Sequence, residues 1–454
     1  MPIPNDHSKF SPDARHGCDV IVVGAGLAGL SAAAFAARGG ARVLLLDRTE
    51  VVGGRASTQK IAGYDFNIGP HALYAGGPAA KVLAELGVSY SGRRPPAAGG
   101  LACRGGRLHA LPGGLVSLLT TDLLQLSGKF ELARVLGSLP KLEAASLRGL
   151  SVREWLDTTF RDEVVRALVE ALLRLTSYAN DPERSCAAAA LAQLQAGLGQ
   201  GVLYLDGGWG TLTAGLEQAA TRAGVEVRTA SRVRSVRASA DGVEIRFADG
   251  DAAALRARCV ILALPPSVAA ALVDAESDGT AAVTGWAREA VPVRAACLDL
   301  GLSRLPNPRR LFAIGVDRPT YFSVHSASAR LAPEGGALVH VAKYLGPDPS
   351  DAKAVEAELE TFADLVQPGW REAMVERRYL PSMLVAGSLI SRGVTRPGPA
   401  VPGTNSLLVA GDWVGEEGML ADRALASGRL AGCMAAKTVA GGSSPAVDRS
   451  LAAA

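Results

Sequence analysis

Residues 18–55, CDVIVVGAGLAGLSAAAFAARGGARVLLLDRTEVVGGR, limit the folds open to this chain more than any other stretch. Cys18–Val23 is a short apolar run rich in β-branched residues and reads as a buried strand. It leads straight into Gly24-Ala25-Gly26-Leu27-Ala28-Gly29, a G-x-G-x-x-G. The alanine-rich run that follows predicts a helix over Leu27–Arg38, stopped by Gly39-Gly40, and Arg42–Leu46 predicts a second strand ending on Asp47.

Each residue type in that unit has a physical use. Gly24 permits the tight turn. Gly26 lets the backbone approach a pyrophosphate, and Gly29 lets helix and strand pack closely. The first helical amides are unpaired donors at the positive end of the helix dipole, which suits a diphosphate. Asp47 lies eighteen residues after Gly29, near the ~20 at which a carboxylate accepts from a ribose 2′-OH. A carboxylate there repels a 2′-phosphate, so NADP is disfavoured. The pattern points to dinucleotide binding; the alternative is a glycine-rich βα turn that binds nothing.

The continuation Val51-Val52-Gly53-Gly54-Arg55 resembles the flavin amine oxidase and phytoene desaturase superfamily, which carries a G-G-R at this spacing. The resemblance implies FAD. Two glycines allow the chain past the middle of the cofactor, and Arg55 supplies charge near its phosphates or flavin. Gly24, Ala25, Gly26, Leu27, Ala28, Gly29, Asp47, Arg48, Gly53, Gly54 and Arg55 are thus the first group of expected cofactor contacts.

Composition bounds the rest. At 454 residues, two or three domains with large cores fit. Apolar content is 48%, net charge only +3, and no basic run carries interleaved aromatics, which argues against a nucleic-acid partner. Six cysteines (Cys18, Cys103, Cys186, Cys259, Cys297, Cys433) show no C-x-x-C spacing and read as buried free thiols in a reducing cytoplasm, with no metal site. The first sixteen residues are polar and lack an apolar h-region, so they read as a loose lead-in. No run approaches the ~20 apolar residues of a membrane span.

In the resembled family the chain after the arginine passes the flavin ring, which here is Tyr64–Tyr74 with a turn at Gly69-Pro70. His71 is a candidate to face flavin or substrate, against the alternative of a structural histidine bonded to backbone. Arg93–Gly106 reads as a Gly/Pro/Arg-rich loop. Leu111–Leu150 is leucine-rich at helical spacing, Ser151-Val152-Arg153-Glu154 is a capping box, and Asp162–Leu175 and Cys186–Leu198 continue the helical pattern. This helical stretch is expected to be core; Leu111–Leu126 is also a candidate apolar entrance for peripheral contact with a membrane or a greasy substrate.

Tyr204–Gly210 leads into a helix over Thr211–Ala223, then short strands at Val225–Arg228, Val233–Arg237, Val243–Phe247 and Val260–Ala263, with hairpin signals at Asp241-Gly242 and Asp249-Gly250. By resemblance, the backbone at Val233 and Val236 meets the adenine, and Cys259–Pro266, including Ala263, leaves the cofactor domain. Residues 280–399 read as strands and loops with one helix, Ala352–Leu365. Strands at Val291–Leu300 and Ala337–Leu345 would floor the substrate cavity, with Arg294 and Lys343 as candidates near the flavin; an edge-strand lysine facing solvent is the plainer reading of Lys343.

Leu407–Trp413, then Gly418-Met419-Leu420 and Ser427-Gly428, resembles the family's C-terminal flavin motif. It implies that Gly411, Asp412, Gly418, Met419 and Leu420 contact the cofactor, with the helix start aimed at the flavin pyrimidine. Gly69, Pro70, His71, Val233 and Ala263 complete the expected contacts. Amine oxidases of the family place an aromatic near Met419 and Leu420. Its absence moves weight toward C–C desaturation, with Trp413 as a substitute wall. No Ser-Gly-Gly-Cys segment is present for covalent attachment, so non-covalent FAD is expected.

The expected fold is mixed α/β: a Rossmann-type FAD-binding domain from 1–75, 202–275 and 400–454, interleaved with a substrate domain of mixed sheet and helices from 76–201 and 276–399. The expected reaction passes a hydride from a C–H bond of a hydrophobic or amine-bearing small molecule to flavin N5. The catalytic candidates are His71, Arg294, Lys343, Trp413, Met419 and Leu420. The electron acceptor stays open among oxygen, quinone and nicotinamide. A redox-neutral isomerase using reduced FAD, or a flavin-bound partner protein without turnover, are the alternatives.

Overall fold

The computed structural model describes residues 17–248 and 254–441. The polar lead-in before Gly17 and the Asp249-Gly250 hairpin signal lie outside the described residues.

Five short strands form a parallel sheet in the order Glu226–Arg228, Val43–Leu46, Val20–Val23, Cys259–Leu262, Leu407–Val409. Every residue of the three central strands is buried, as their unbroken apolar runs require when both faces are covered. Helix Leu27–Arg38 buries Leu27 through Ala36. It does so against helix Leu420–Gly441, whose Gly428 and Gly432 let the two backbones nearly touch: a Cβ on either would lie 2.3 Å from the carbonyl oxygens of Ala28 and Ala32.

A second, seven-stranded sheet runs Met374–Ala386, Val293–Leu302, Ala337–Tyr344, Thr320–Val324, Phe312–Gly315, Leu101–Arg104, Arg107–Ala110. Its pairings are antiparallel except for Phe312–Gly315 with Leu101–Arg104. One face packs on helix Ala352–Val366, with Leu359, Ala363 and Val366 fully buried. The other meets a helical layer of Leu126–Ser138, Val152–Thr159, Glu163–Ser177 and Ala187–Gln200. The capping box forms as expected, with Ser151 Oγ accepting from Glu154 N at 3.1 Å and Glu154 Oε2 accepting from Ser151 N at 2.8 Å.

Two sequence expectations need correction. The expected loop over 93–106 contains strand Leu101–Arg104, which turns at Gly105-Gly106 (φ 57° and 72°) into Arg107–Ala110. Its pairing with Phe312–Gly315, two hundred residues on, supplied what local propensity did not. Residues 280–399 hold a second helix, Thr280–Glu289, a short element that fully buries only Val283 and packs Ala282 and Trp286 beside it. The helical reading of Leu111–Leu150 is met by helices Leu115–Thr120 and Leu126–Ser138, followed by short 3₁₀ turns. Among the described residues no helix is long and apolar enough to cross a membrane.

Candidate cofactor and substrate cavity

A single continuous cavity of ≈ 1910 Å³ starts at the glycine turn and ends among leucines of the helical layer. Its first part is shaped by the three glycines in different ways. Gly24 has φ 102°, and a Cβ there would lie 2.6 Å from the Ala263 carbonyl oxygen. Gly29 is closer still: a Cβ would sit 1.7 Å from Gly24 O. In front of Gly26 the space is open, with Gly53 O the nearest atom at 3.9 Å. Gly26 caps its helix without a side-chain acceptor, and no acid lies in the first turn. The helix therefore presents bare amides and positive dipole charge to the cavity, a cradle suited to a diphosphate.

Asp47 ends its strand beside that cradle. Its Oδ2 accepts from Ala25 N at 2.6 Å, and its Oδ1 from Thr49 N and Oγ1 at 2.9 and 2.6 Å. Arg48, Leu27 and Ala28 line the same part of the cavity, as do Val233 and Ala263, while Val236 is in the core. Ala25, Gly29, Gly69 and Gly418, expected as cofactor contacts, are not among the residues lining the cavity. Gly53 N donates to Ala25 O at 2.8 Å, so the G-G-R turn is tied directly to the first glycine turn.

Arg55 reaches across to the C-terminal strand. Its Nη1 lies 2.6 Å from Asp412 Oδ2 and 2.8 Å from Val385 O, and 39% of its side chain stays open to the cavity. Burial works against the guanidinium charge, but the Asp412 carboxylate more than offsets it, and the pKa rises. Asp412 also accepts from Gly387 N at 3.2 Å. One ion pair thus joins segments 357 residues apart at the wall of the cavity.

Pro70 and His71 line the next part. His71 Nδ1 is 3.0 Å from Gly69 O, and its ring lies 4.8 Å from that of Trp209. Burial pushes the imidazole pKa down from 6.5 to about 4. Between those values the unfolded chain binds a proton at His71 that the folded chain refuses. His71 therefore adds no penalty above pH 6.5, and its neutral burial costs stability as pH falls toward 4. Melting temperature is expected to drop over pH 6.5 to 5, before most carboxylates titrate; His325, also held neutral by burial, adds to that fall, so His71→Gln is expected to lessen it without removing it.

Met419 and Leu420 line the opposite side, where helix Leu420–Gly441 begins; Leu420 has the left-handed φ of 54° that few such residues adopt. The structure does not bring the other three catalytic candidates to the cavity. Arg294 points to Ser382 Oγ at 3.4 Å. Lys343 pairs with Glu358 at 2.5 Å. Trp413 is 3% exposed, packs on Trp286 and donates to Leu264 O at 2.9 Å. Each is satisfied elsewhere, which sequence spacing could not show.

Several lining residues were missed by sequence reasoning. Tyr178, Tyr204, Trp209, Tyr321 and Ser323 face the cavity, with Met383–Val385 of the longest strand. The signals were faint: Trp209 directly follows the Gly207-Gly208 turn, and Tyr321 and Ser323 alternate on one face of a strand. Leu132, Leu136, Leu168, Leu172, Leu175 and Leu194 complete the far wall. They carry the helical spacing already noted, which alone cannot separate core from cavity.

Behind this wall, Cys297, Asp299 and His340 bring three ligand-type atoms within 4.8 Å. They are bonded to each other, His340 Nδ1 at 2.6 Å and Cys297 Sγ at 3.0 Å from Asp299 Oδ1, while Arg378 Nη2 holds Asp299 Oδ2 at 2.6 Å. Burial opposes the Asp299 charge, but His340 and then Arg378 hold its carboxyl below the usual range. Contacts this short leave no space for an ion between the atoms, and a guanidinium already fills the cation's place. Arg378 also donates to Asn67 O, so this knot fixes the turn that carries Pro70 and His71.

A family model described as flavin containing amine oxidoreductase matches residues 27–434. The carotenoid 3,4-desaturase of Haloarcula japonica is 52% identical over 54 residues, 12% of this chain and 11% of that protein. The 15-cis-phytoene desaturase of Solanum lycopersicum is 26% identical over 284 residues, 57% of this chain and 48% of that protein. The chain thus spans about half or less of these curated relatives. The cyclohexylamine oxidase of Brevibacterium oxydans has the same fold, with a TM-score of 0.67 and 17% identity over 94% of this chain and 99% of that one.

Proposed function

The chain belongs to the flavin containing amine oxidoreductase family, and from that premise we propose that it is an FAD-dependent oxidoreductase acting on a C–H bond of a hydrophobic or amine-bearing small molecule. The observation that carries this reading is the continuity of the cavity, from the bare amides at Gly26 to the leucines of the helical layer. A dinucleotide at one end and an apolar molecule at the other would meet beside His71, Met419 and Leu420.

The residues fit FAD, held non-covalently. The helix start after Gly26 takes the pyrophosphate, Asp47 the ribose, Val233 the adenine side, and Arg55, anchored by Asp412, the phosphates or flavin edge. FAD bound here supplies the hydride acceptor. The chain's own work is to orient and to dry the site. Leu132, Leu136, Leu168 and Leu172 bind an apolar body and exclude water, and the start of helix Leu420–Gly441 favours negative charge at the cavity wall. Met419 and Leu420, where an aromatic would favour amines, support desaturation over amine oxidation. The proposed division assigns 1–75, 202–275 and 400–454 to the cofactor and 76–201 and 276–399 to the substrate. The six cysteines, all free, support a reducing compartment.

The decisive experiment is anaerobic mixing of the flavin-loaded protein with a panel of amines, polyenes and porphyrinogens. Bleaching of the oxidised flavin band is expected with at least one apolar member. Turnover only after prior reduction would replace this reading with isomerisation, and silence across the panel would leave a flavin-bound protein without turnover.

Peripheral membrane contact is part of the same reading. Leu115, Val116, Leu119, Leu126 and Phe130 are 65–76% exposed, and Leu111, Leu115 and Val116 also line the cavity. An apolar patch of this kind at a cavity mouth suits an interfacial substrate. Flotation with liposomes tests it: protein remaining wholly in the soluble fraction would exclude the contact.

A further inference from the structure

Three hydroxyls form a polar spot in the lining of the cavity. Tyr204 and Tyr321 hydroxyls lie 3.4 Å apart, and Ser323 Oγ is 3.3 Å from Tyr204 Oη. All three residues line the cavity. Tyr321 Oη also meets His325 Nε2 at 3.1 Å, and the His325 ring stacks on Tyr204 at 3.8 Å. The cluster is neutral: burial holds the His325 pKa well below its ordinary value and raises those of both tyrosines.

The direction of its hydrogen bonds follows from one orphan atom. His325 Nδ1 has no partner among the described residues. A buried bare N–H is a rarer and costlier defect than a bare lone pair, so the ring proton belongs on Nε2. His325 then donates to Tyr321, and the hydroxyls of Tyr321, Tyr204 and Ser323 pass their donors along. Each hydroxyl carries one donor hydrogen and two lone pairs, so the trio can both donate to and accept from a ligand in the cavity it lines.

We propose that the substrate carries a neutral oxygen function, a carbonyl or hydroxyl, on an otherwise apolar body, and that Tyr204, Tyr321 and Ser323 bind that oxygen. This rests on the substrate reading of the cavity given above. A few placed polar groups in an apolar pocket fix a ligand's orientation, and the group they match decides specificity. A hydrocarbon engages none of these hydroxyls. An ammonium group finds no carboxylate in the cluster to neutralise it.

The test is calorimetric titration of the flavin-loaded protein at pH 7 with four probes of one carbon skeleton: citral, geraniol, myrcene and geranylamine. Citral and geraniol are expected to bind about tenfold more tightly than myrcene, with geranylamine no tighter than myrcene. Tyr321→Phe and Ser323→Ala, each checked for unchanged melting and full flavin loading, are expected to shrink the preference below about threefold while myrcene affinity holds. Equal affinities in the wild type, geranylamine as the tightest probe, or an undiminished preference in both variants would overturn the proposal. Flavin bleaching is a separate readout. A flat affinity order with bleaching defeats the oxygen inference alone, whereas the expected order without bleaching by any panel member defeats hydride removal alone.

Discussion

Gly29→Ala is expected to destabilise the fold severely, although alanine is the better helix former by about 1 kcal/mol. The added methyl would sit 1.7 Å from Gly24 O, 2.9 Å from Gly24 C and 3.1 Å from Ala263 Cβ. The first two are backbone atoms of the turn itself, so no rotamer change relieves the clash. Helix Leu27–Arg38 would have to lift from the parallel sheet, opening the core of Val20, Val22, Leu30 and Ala33. Overpacking of a tight core costs about 1–3 kcal/mol where neighbours can yield. Here they are backbone, so the loss should exceed ~3 kcal/mol, a large part of a typical domain's ~5–15 kcal/mol. Chemical denaturation measures it. Gly137→Ala is the control, since nothing lies within 4 Å of its Cβ position in helix Leu126–Ser138; it should be neutral or stabilising. A Gly29→Ala protein that melts with the wild type would refute the close packing.

Gly26→Val is expected to do the reverse, keeping the fold and losing the cofactor. Gly26 has φ −78° and ψ −174°, an extended conformation open to any side chain, and its Cβ would be 3.9 Å from the nearest atom. Melting of the flavin-free protein should therefore shift by no more than about 1 kcal/mol in stability. The valine methyls, however, would occupy the space before the bare helix amides. Excluding a diphosphate from those donors should weaken FAD at least a hundredfold, about 2.7 kcal/mol. The readout is flavin per chain after purification and the dissociation constant on adding FAD back. A yellow variant with one flavin per chain would show that the pyrophosphate lies elsewhere.

These two glycines also show how far the chain could be read without coordinates. Strand, turn, helix and acid over 18–55 were legible because each is set by local chemistry: β-branched runs, alanines, a glycine pair, one carboxylate at a fixed spacing. Helix Leu27–Arg38 has the expected limits. Arg55 could be read as a charged neighbour of the cofactor region, but its anchor on Asp412 could not, since 357 residues separate the pair. The same limit explains Lys343. An alternating strand marks it as facing one side of a sheet, but only the fold shows that this side holds Glu358. The aromatic lining was hidden for a related reason. Tyr204, Trp209 and Tyr321 sit in short strands and turns with no repeating pattern, and they converge only when two sheets and a helical layer close around one space. The helix Thr280–Glu289 is only ten residues long, and its stripe of Ala282, Val283 and Trp286 is too short to stand out among strands.

The parallel sheet has a consequence for biosynthesis. Its middle strand, Val20–Val23, leaves the ribosome early, but the neighbour Cys259–Leu262 and the outer strand Leu407–Val409 follow hundreds of residues later. Helix Leu420–Gly441, which covers Leu27–Arg38, comes later still. Until those segments emerge, the nascent chain carries this strand and helix uncovered, a largely apolar state exposed to aggregation. Loop closures of this length make the final collapse slow, and flavin can be captured only when it is done.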